Sequence, residues 1–393
     1  MGVWIMKVLL SWLLSVGVLL QLLSPSVQLV RADQVETESP SVILMEVTTG
    51  TVLAEKNAQE QRSPASITKI MTLLLIFEEL EKGTLHLEDE VITSAHAKSM
   101  GGSQVYLEEG EKQTVETMIK CIVVASGNDA SVAMAEHIAG SEAGFVDKMN
   151  QKAKELGMKD THFEDCCGLT DSDGHYTTAE DVARMSRELI TKYPQILKYS
   201  SIWMENITHV TAQGTKEFGL TNTNKLIRSL DGCVGLKTGS TSKARFCVSA
   251  VAKRENLMLL AVVMGAPDSK IRNRDAASLL NYGFGSCQMY EDDNEEKLSP
   301  APVQRGVEDT VKCRILEPFC YLDMEGRNLE NIEKEIQIKE GITAPVKKGD
   351  VLGKAVFMLD GEVIGETDII ATENVEKAGF FDYLKKILII RKS

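Results

Sequence analysis

The ten residues Ser63-Pro64-Ala65-Ser66-Ile67-Thr68-Lys69-Ile70-Met71-Thr72 constrain this chain more than any other stretch. They read as a helix start. Ser63 has the side-chain oxygen of an N-cap, and Pro64 suits the first helical position, where a missing N–H costs nothing. Ser66 then falls in the first turn and Lys69 three residues on, so hydroxyl and amine share one face, one turn apart. Ile70, Met71, Leu73, Leu74, Leu75, Ile76 and Phe77 follow with almost no polar face, the pattern of a helix buried in a domain core. Burial pushes a lysine toward its neutral form, and a neutral amine is the base that a serine nucleophile needs. The spacing alone is cheap, since Ser240-Thr241-Ser242-Lys243 repeats it.

The 393 residues suffice for two or three domains with a substantial core, and a net charge of −14 argues against nucleic acid as a partner. Lys7, an apolar run over residues 8–23, Ser24-Pro25 and then Val30-Arg31-Ala32 have the form of a secretory signal peptide spanning residues 1–32. The bulk of the chain is therefore expected to work outside the cytoplasm. Cys121, Cys166, Cys167, Cys233, Cys247, Cys287, Cys313 and Cys320 are irregularly spaced, so several are expected to be buried free thiols rather than a disulfide framework. With no Cys-x-x-Cys, no Cys/His cluster, no phosphate loop and no His-Glu-x-x-His, neither a metal nor a cofactor is expected. A Gly-x-Ser-x-Gly elbow is also missing, so histidine is not the obvious base.

Along the chain, β-like runs at residues 41–47 and 51–55 flank Thr48-Thr49-Gly50 and predict a hairpin leading to the Ser66 helix. Helical patterns dominate residues 78–220. They break at Ser126-Gly127-Asn128, and Thr177-x-x-Glu180 has the form of a capping box. Strand patterns return at 246–252 and 257–264, and a helix over about 271–282 closes the unit. Strands first and last with helices between them predict an α/β sandwich with an inserted helical subdomain over residues 33–285. An acidic linker is expected at 286–299, then a small all-β domain at 300–371. The final stretch, 372–393, is read as an amphipathic helix with Phe380, Phe381, Leu384, Ile387 and Leu388 on one side. Within it, residues 377–393 carry Lys377, Lys385, Lys386, Arg391 and Lys392 against Asp382, a local charge of +4 in an acidic chain, which favours a membrane surface as partner.

Two short motifs complete a constellation with Ser66 and Lys69. Ser126-Gly127-Asn128 sits at a break between helices, and Lys237-Thr238-Gly239 directly precedes a β run. Ser126 can relay a proton to a leaving amine and Asn128 can hold a substrate amide. Lys237 adds a positive charge that keeps Lys69 neutral and attracts a carboxylate. Gly239 lets an edge strand approach a substrate backbone, and the N–H groups of Ser66 and Ser240 can form an oxyanion hole.

In this order the motifs resemble the set found in penicillin-binding proteins and class A β-lactamases. The chain is most similar to the low-molecular-mass penicillin-binding D-alanyl-D-alanine carboxypeptidases, especially sporulation-type members from Gram-positive bacteria. Residues 43–46, 99–103, 168–175 and 222–226, the small β domain and the amphipathic tail all take part in the resemblance. It implies acyl transfer on a peptidoglycan stem peptide ending in D-alanyl-D-alanine, with Ser66 acylated, the terminal D-alanine released and the ester hydrolysed. It also implies covalent inhibition by β-lactam antibiotics and a terminal-carboxylate contact at Arg272, with Arg274 close enough to compete for that role. The chain departs from the family at Ala244-Arg245, where many relatives have Ala-Gly, which bears on substrate preference. Two other functions share part of this pattern. A secreted β-lactamase needs a deacylating carboxylate, for which Glu164 lies in the right interval but the wrong setting; a non-catalytic stem-peptide-binding protein needs neither Ser66 nor Lys69.

Overall fold

The computed structural model describes residues 35–390; the expected signal peptide lies outside them. Five antiparallel strands form the central sheet, in the order Val52–Lys56, Ser41–Glu46, Leu257–Ala266, Arg245–Arg254 and Cys233–Thr241. Its central strands are apolar on both faces. Leu260, Val262 and Met264 enter the core under the helical subdomain, while Leu259, Ala261 and Val263 meet the helix Ser269–Ser286 on the opposite side. The alternation is the two-residue period of a strand, and it produces the three-layer arrangement.

The first hairpin turns as its sequence predicts. Buried Glu46 accepts hydrogen bonds from the Thr48 and Thr49 backbone N–H groups, and Gly50 takes φ +75°. The subdomain contains Lys69–Glu81, Val115–Val123, Asn128–Ala139, Glu142–Glu155 and Ala179–Lys192. It also holds strands that its helical patterns concealed: Glu90–Ile92 pairs with Lys112–Thr114, and Met204–Thr211 with Gly214–Thr221. The second hairpin is exposed at most positions and buries Ile207, His209 and Leu220, so it lacks the apolar run by which strands are recognised. The expected capping box shifts by one residue, because Thr178, not Thr177, accepts from the N–H of Asp181.

The acidic segment is not simply a linker. Gln288–Asp292 is a strand paired with Phe319–Asp323, and the Asp292 carboxylate meets Lys334 at 3.1 Å. A four-stranded sheet, Cys313–Ile315, Glu362–Ala371, Val351–Leu359 and Ile332–Ile338, carries the rest of the β unit. That unit extends past residue 371, since Val375 is buried in its core and bridges Val346. The terminal helix is Phe380–Ile390, shorter than the stretch expected from the sequence. All eight cysteines are free thiols, and Cys121, Cys166, Cys167, Cys233, Cys247 and Cys287 are buried.

Candidate active site

Three chain segments meet where the helical subdomain touches the free edge of the sheet. Residues Ala65–Thr68 form a 3-10 turn that continues into Lys69–Glu81, so Ser66 and Lys69 lie at a helix start as expected. The cap differs. Pro64 occupies the N-cap, Ala65 has φ +47°, and the Ser63 hydroxyl is buried without a hydrogen-bond partner among the described residues. The helix start is held by tertiary contact instead. Gly168, at φ +75°, packs so closely that a Cβ there would lie 1.8 Å from the Ala65 carbonyl oxygen.

Lys69 is wholly buried. Its Nζ lies 3.0 Å from Ser66 Oγ, 2.6 Å from Asn128 Oδ1 and 2.7 Å from the Cys167 carbonyl oxygen. Both acceptors can take an N–H, and the third direction faces the serine hydroxyl. Protonated, the amine donates to all three; neutral, it donates to Asn128 and Cys167 and keeps its lone pair for the Ser66 proton. Burial pushes the Lys69 amine below its ordinary value, against the opposing pull of Asp165, Asp129 and the neighbouring thiols.

Ser126 and Asn128 flank the start of the helix Asn128–Ala139. Ser126 sits at φ +62° and is buried, with Oγ 2.9 Å from Lys237 Nζ. The Asn128 amide is oriented at both ends, accepting from Lys69 and donating to the Gly101 carbonyl at 2.7 Å.

Lys237, Thr238, Gly239 and Ser240 lie inside the edge strand Cys233–Thr241 rather than before a strand, which corrects the sequence reading. Lys237 Nζ also donates to the Thr238 carbonyl at 2.9 Å, and burial, followed by the charges of Lys69 and Arg272, pushes it well below its ordinary range. Thr238 Oγ1 donates to Thr223 Oγ1 at 2.7 Å. A Cβ on Gly239 would stand 3.0 Å from the backbone nitrogens of Ser66 and Ile67, so glycine is what lets the strand seat against the Ser66 turn.

The two arginines separate cleanly. Arg274 pairs with Glu38 and Asp275, each at 2.7 Å, and its charge is satisfied. Arg272 is buried and donates only to Asn273 Oδ1 at 3.0 Å, with no carboxylate partner among the described residues. The second Ser-x-x-Lys is also resolved, because Lys243 binds the Asp171 and Ser172 carbonyls and the Asp173 carboxylate, not Ser240. Glu164 hydrogen-bonds to Ser172, and among the described residues no carboxylate hydrogen-bonds directly to Ser66 or Lys69.

Sequence reasoning passed over the groups that hold these residues. Asp165 accepts from the Cys167 N–H at 2.8 Å, from the Gly168 N–H, and from the Thr170 N–H at 2.7 Å, folding the turn that presents the Cys167 carbonyl to Lys69. Buried Asp129 takes the Val105 and Leu107 N–H groups at 3.1 Å and ties that loop to the second motif. His175 accepts the Glu164 N–H on Nδ1 at 3.1 Å, so its proton resides on Nε2, 2.9 Å from Thr68 Oγ1. Burial holds this imidazole below its usual value. Of these groups only His175 falls within the family-like stretch 168–175; Asp129 and Asp165 lie outside it.

A buried serine–lysine pair, a second serine–lysine pair and a glycine-bearing edge strand on an α/β sandwich define a serine acyl-transfer enzyme of the penicillin-binding type. Residues 28–268 match the D-alanyl-D-alanine carboxypeptidase family and residues 284–377 match the penicillin-binding protein 5 C-terminal domain. The chain belongs to the D-alanyl-D-alanine carboxypeptidase family. It is 43% identical over 390 residues to the D-alanyl-D-alanine carboxypeptidase DacF of Bacillus subtilis, covering 98% of each chain. It is 32% identical over 365 residues to DacA of Escherichia coli, covering 89% of this chain and 88% of that one. Among solved structures, penicillin-binding protein 5 of Haemophilus influenzae superimposes with a TM-score of 0.69 at 28% identity, covering 87% of this chain and 98% of the other. These similarities favour the carboxypeptidase over both rival readings.

Proposed function

We propose that this carboxypeptidase acts on peptidoglycan stem peptides through an acyl-enzyme on Ser66. The observation that carries the reading is the Lys69 amine, wholly buried 3.0 Å from Ser66 Oγ, where desolvation favours the neutral base. Ser66 Oγ attacks the carbonyl carbon of the penultimate D-alanine while its proton passes to Lys69 Nζ. The N–H groups of Ser66 and Ser240 hold the developing oxyanion. Asn128 and the edge strand at Thr238-Gly239-Ser240 hold the peptide backbone, and Lys237 and Arg272 hold its terminal carboxylate. As the C–N bond breaks, Ser126 passes a proton to the departing D-alanine amine and is replenished across its contact with Lys237. The proton that Lys69 took passes on to this Ser126–Lys237 relay, which restores both lysines; water then hydrolyses the ester, giving its proton to the neutral Lys69 amine, which returns it to Ser66 Oγ as the ester bond breaks. A β-lactam enters the same first step and stays attached.

The chain is proposed to be exported by residues 1–32 and to rest peripherally on the outer face of the cytoplasmic membrane, serving wall biogenesis during sporulation. Supporting the membrane contact, Phe380, Phe381, Tyr383 and Leu384 expose 76%, 81%, 43% and 48% of their surface, so the described part of the terminal helix leaves an apolar face uncovered. No helix among the described residues is long and apolar enough to cross a bilayer.

Intact-mass measurement after incubation with penicillin tests the chemistry. One adduct is expected, mapping to Ser66, lost in Ser66→Ala and strongly slowed in Lys69→Arg, whose guanidinium cannot accept a proton. An adduct at Ser240, or normal acylation of Lys69→Arg, would refute the assignment. Release of D-alanine from a model tripeptide separates the carboxypeptidase from a lactamase or a binder.

A further inference from the structure

Arg245 opens the strand Arg245–Arg254 directly beside the active-site edge, in register with Thr241. Its backbone has φ +59°, a left-handed conformation that disfavours any side chain. Its guanidinium is exposed and donates only to the Pro267 carbonyl, at 3.2 Å, with no carboxylate partner among the described residues. Together with Ser240, Thr241, Ser242, Phe246 and Pro267 it lines a hollow of about 320 Å³. An unpaired cation held on a strained backbone at the mouth of a cleft is an outlier that asks for a ligand.

The direction of the peptide identifies that ligand. In the reading proposed above, Lys237 and Arg272 hold the terminal carboxylate, and Gly239 packs against the Ser66 backbone. A peptide added to the free strand edge therefore runs its upstream residues past Ser240 toward Thr241. The residue before the acylated D-alanine lies one step upstream, about 3.3 Å along the strand, and its side chain extends toward Thr241, across which the Arg245 guanidinium reaches from the neighbouring strand. We infer that Arg245 is a specificity residue, reading a carboxylate carried by the side chain of that upstream residue. The inference rests on the carboxypeptidase reading above.

The test uses the full chain and three stem-type peptides that differ only at the upstream residue: diaminopimelate with a free side-chain carboxylate, the same residue amidated, and lysine. Arg245→Gly fits the left-handed backbone and preserves the fold, while Arg245→Lys keeps the charge without the guanidinium fork. For Arg245→Gly, kcat/KM for D-alanine release from the carboxylate peptide is expected to fall about tenfold, mainly through KM. Turnover of the amidated and lysine peptides is expected to stay within about twofold, and Arg245→Lys to fall between the two enzymes on the carboxylate peptide. A uniform effect on all three peptides, or none on any, would overturn the inference while leaving the carboxypeptidase intact. No release from any of them by the unmodified chain would overturn the carboxypeptidase reading, and this one with it.

Discussion

Gly168→Ala is the substitution whose cost follows most directly from the geometry. Gly168 sits at φ +75°, and its added Cβ would meet the Ala65 carbonyl oxygen at 1.8 Å, the carbonyl carbon at 2.3 Å and Thr68 Oγ1 at 2.8 Å. The left-handed backbone alone costs an alanine roughly 1–2 kcal/mol. The contact is with backbone, which cannot swing aside, so relieving it adds an overpacking cost of about 1–3 kcal/mol. For a domain of this size the total of about 2–5 kcal/mol corresponds to a Tm lowered by roughly 5–20 °C. The displaced segments also carry the chemistry, since Ala65 adjoins Ser66 and Gly168 adjoins the Cys167 carbonyl that accepts from Lys69. A shift of about 1 Å there is expected to slow penicillin acylation on the order of 100-fold. Gly110→Ala is the control, because Gly110 has φ +79° but nothing within 4 Å of its added Cβ. It isolates the backbone cost and leaves acylation unchanged. Thermal unfolding and acylation rates check both variants, and a Gly168→Ala protein that behaves like Gly110→Ala would refute the reasoning.

Arg272→Ala is expected to lose about 10- to 100-fold in kcat/KM on a peptide with a free terminal carboxylate and little on an uncharged ester; equal losses would remove Arg272 from the carboxylate contact. His175 has its folded-state pKa depressed by burial, so its contribution is fully present above the unfolded value of about 6.5 and fades as pH falls through the folded one. Between pH 7 and 5, thermal stability should therefore fall by up to about 1.4 kcal/mol per pH unit more in the native chain than in His175→Gln, and identical slopes would contradict this. Removing residues 380–393 should leave penicillin acylation intact while abolishing sedimentation with anionic vesicles, which added salt should weaken in the full chain. Unfolding of the truncated protein would instead mark the helix as packed.

What could be read from the sequence was the chemistry that side-chain identity carries. Ser66 and Lys69 are a turn apart in the chain, the helix behind them is apolar, and each motif announces its residue types. The geometry that makes them act is largely carried by backbone, which leaves no letter. Lys69 is aimed by the Cys167 carbonyl, and that carbonyl is placed by an Asp165 carboxylate whose three acceptor bonds all go to N–H groups. The helix start looked capped by Ser63 because serine before proline is the usual local solution. Here Ala65 is left-handed and Gly168 presses on its carbonyl, so tertiary contact overrides the local cap. Ser240 and Lys243 show the converse. They have the same spacing as Ser66 and Lys69, but Lys243 is exposed and binds the loop at 171–173. What separates the two lysines is desolvation. Lys69 enters an apolar core where its charge is costly, and Lys243 stays at the rim, so the same tetrapeptide pattern gives the proposed base in one place and a clamp in the other.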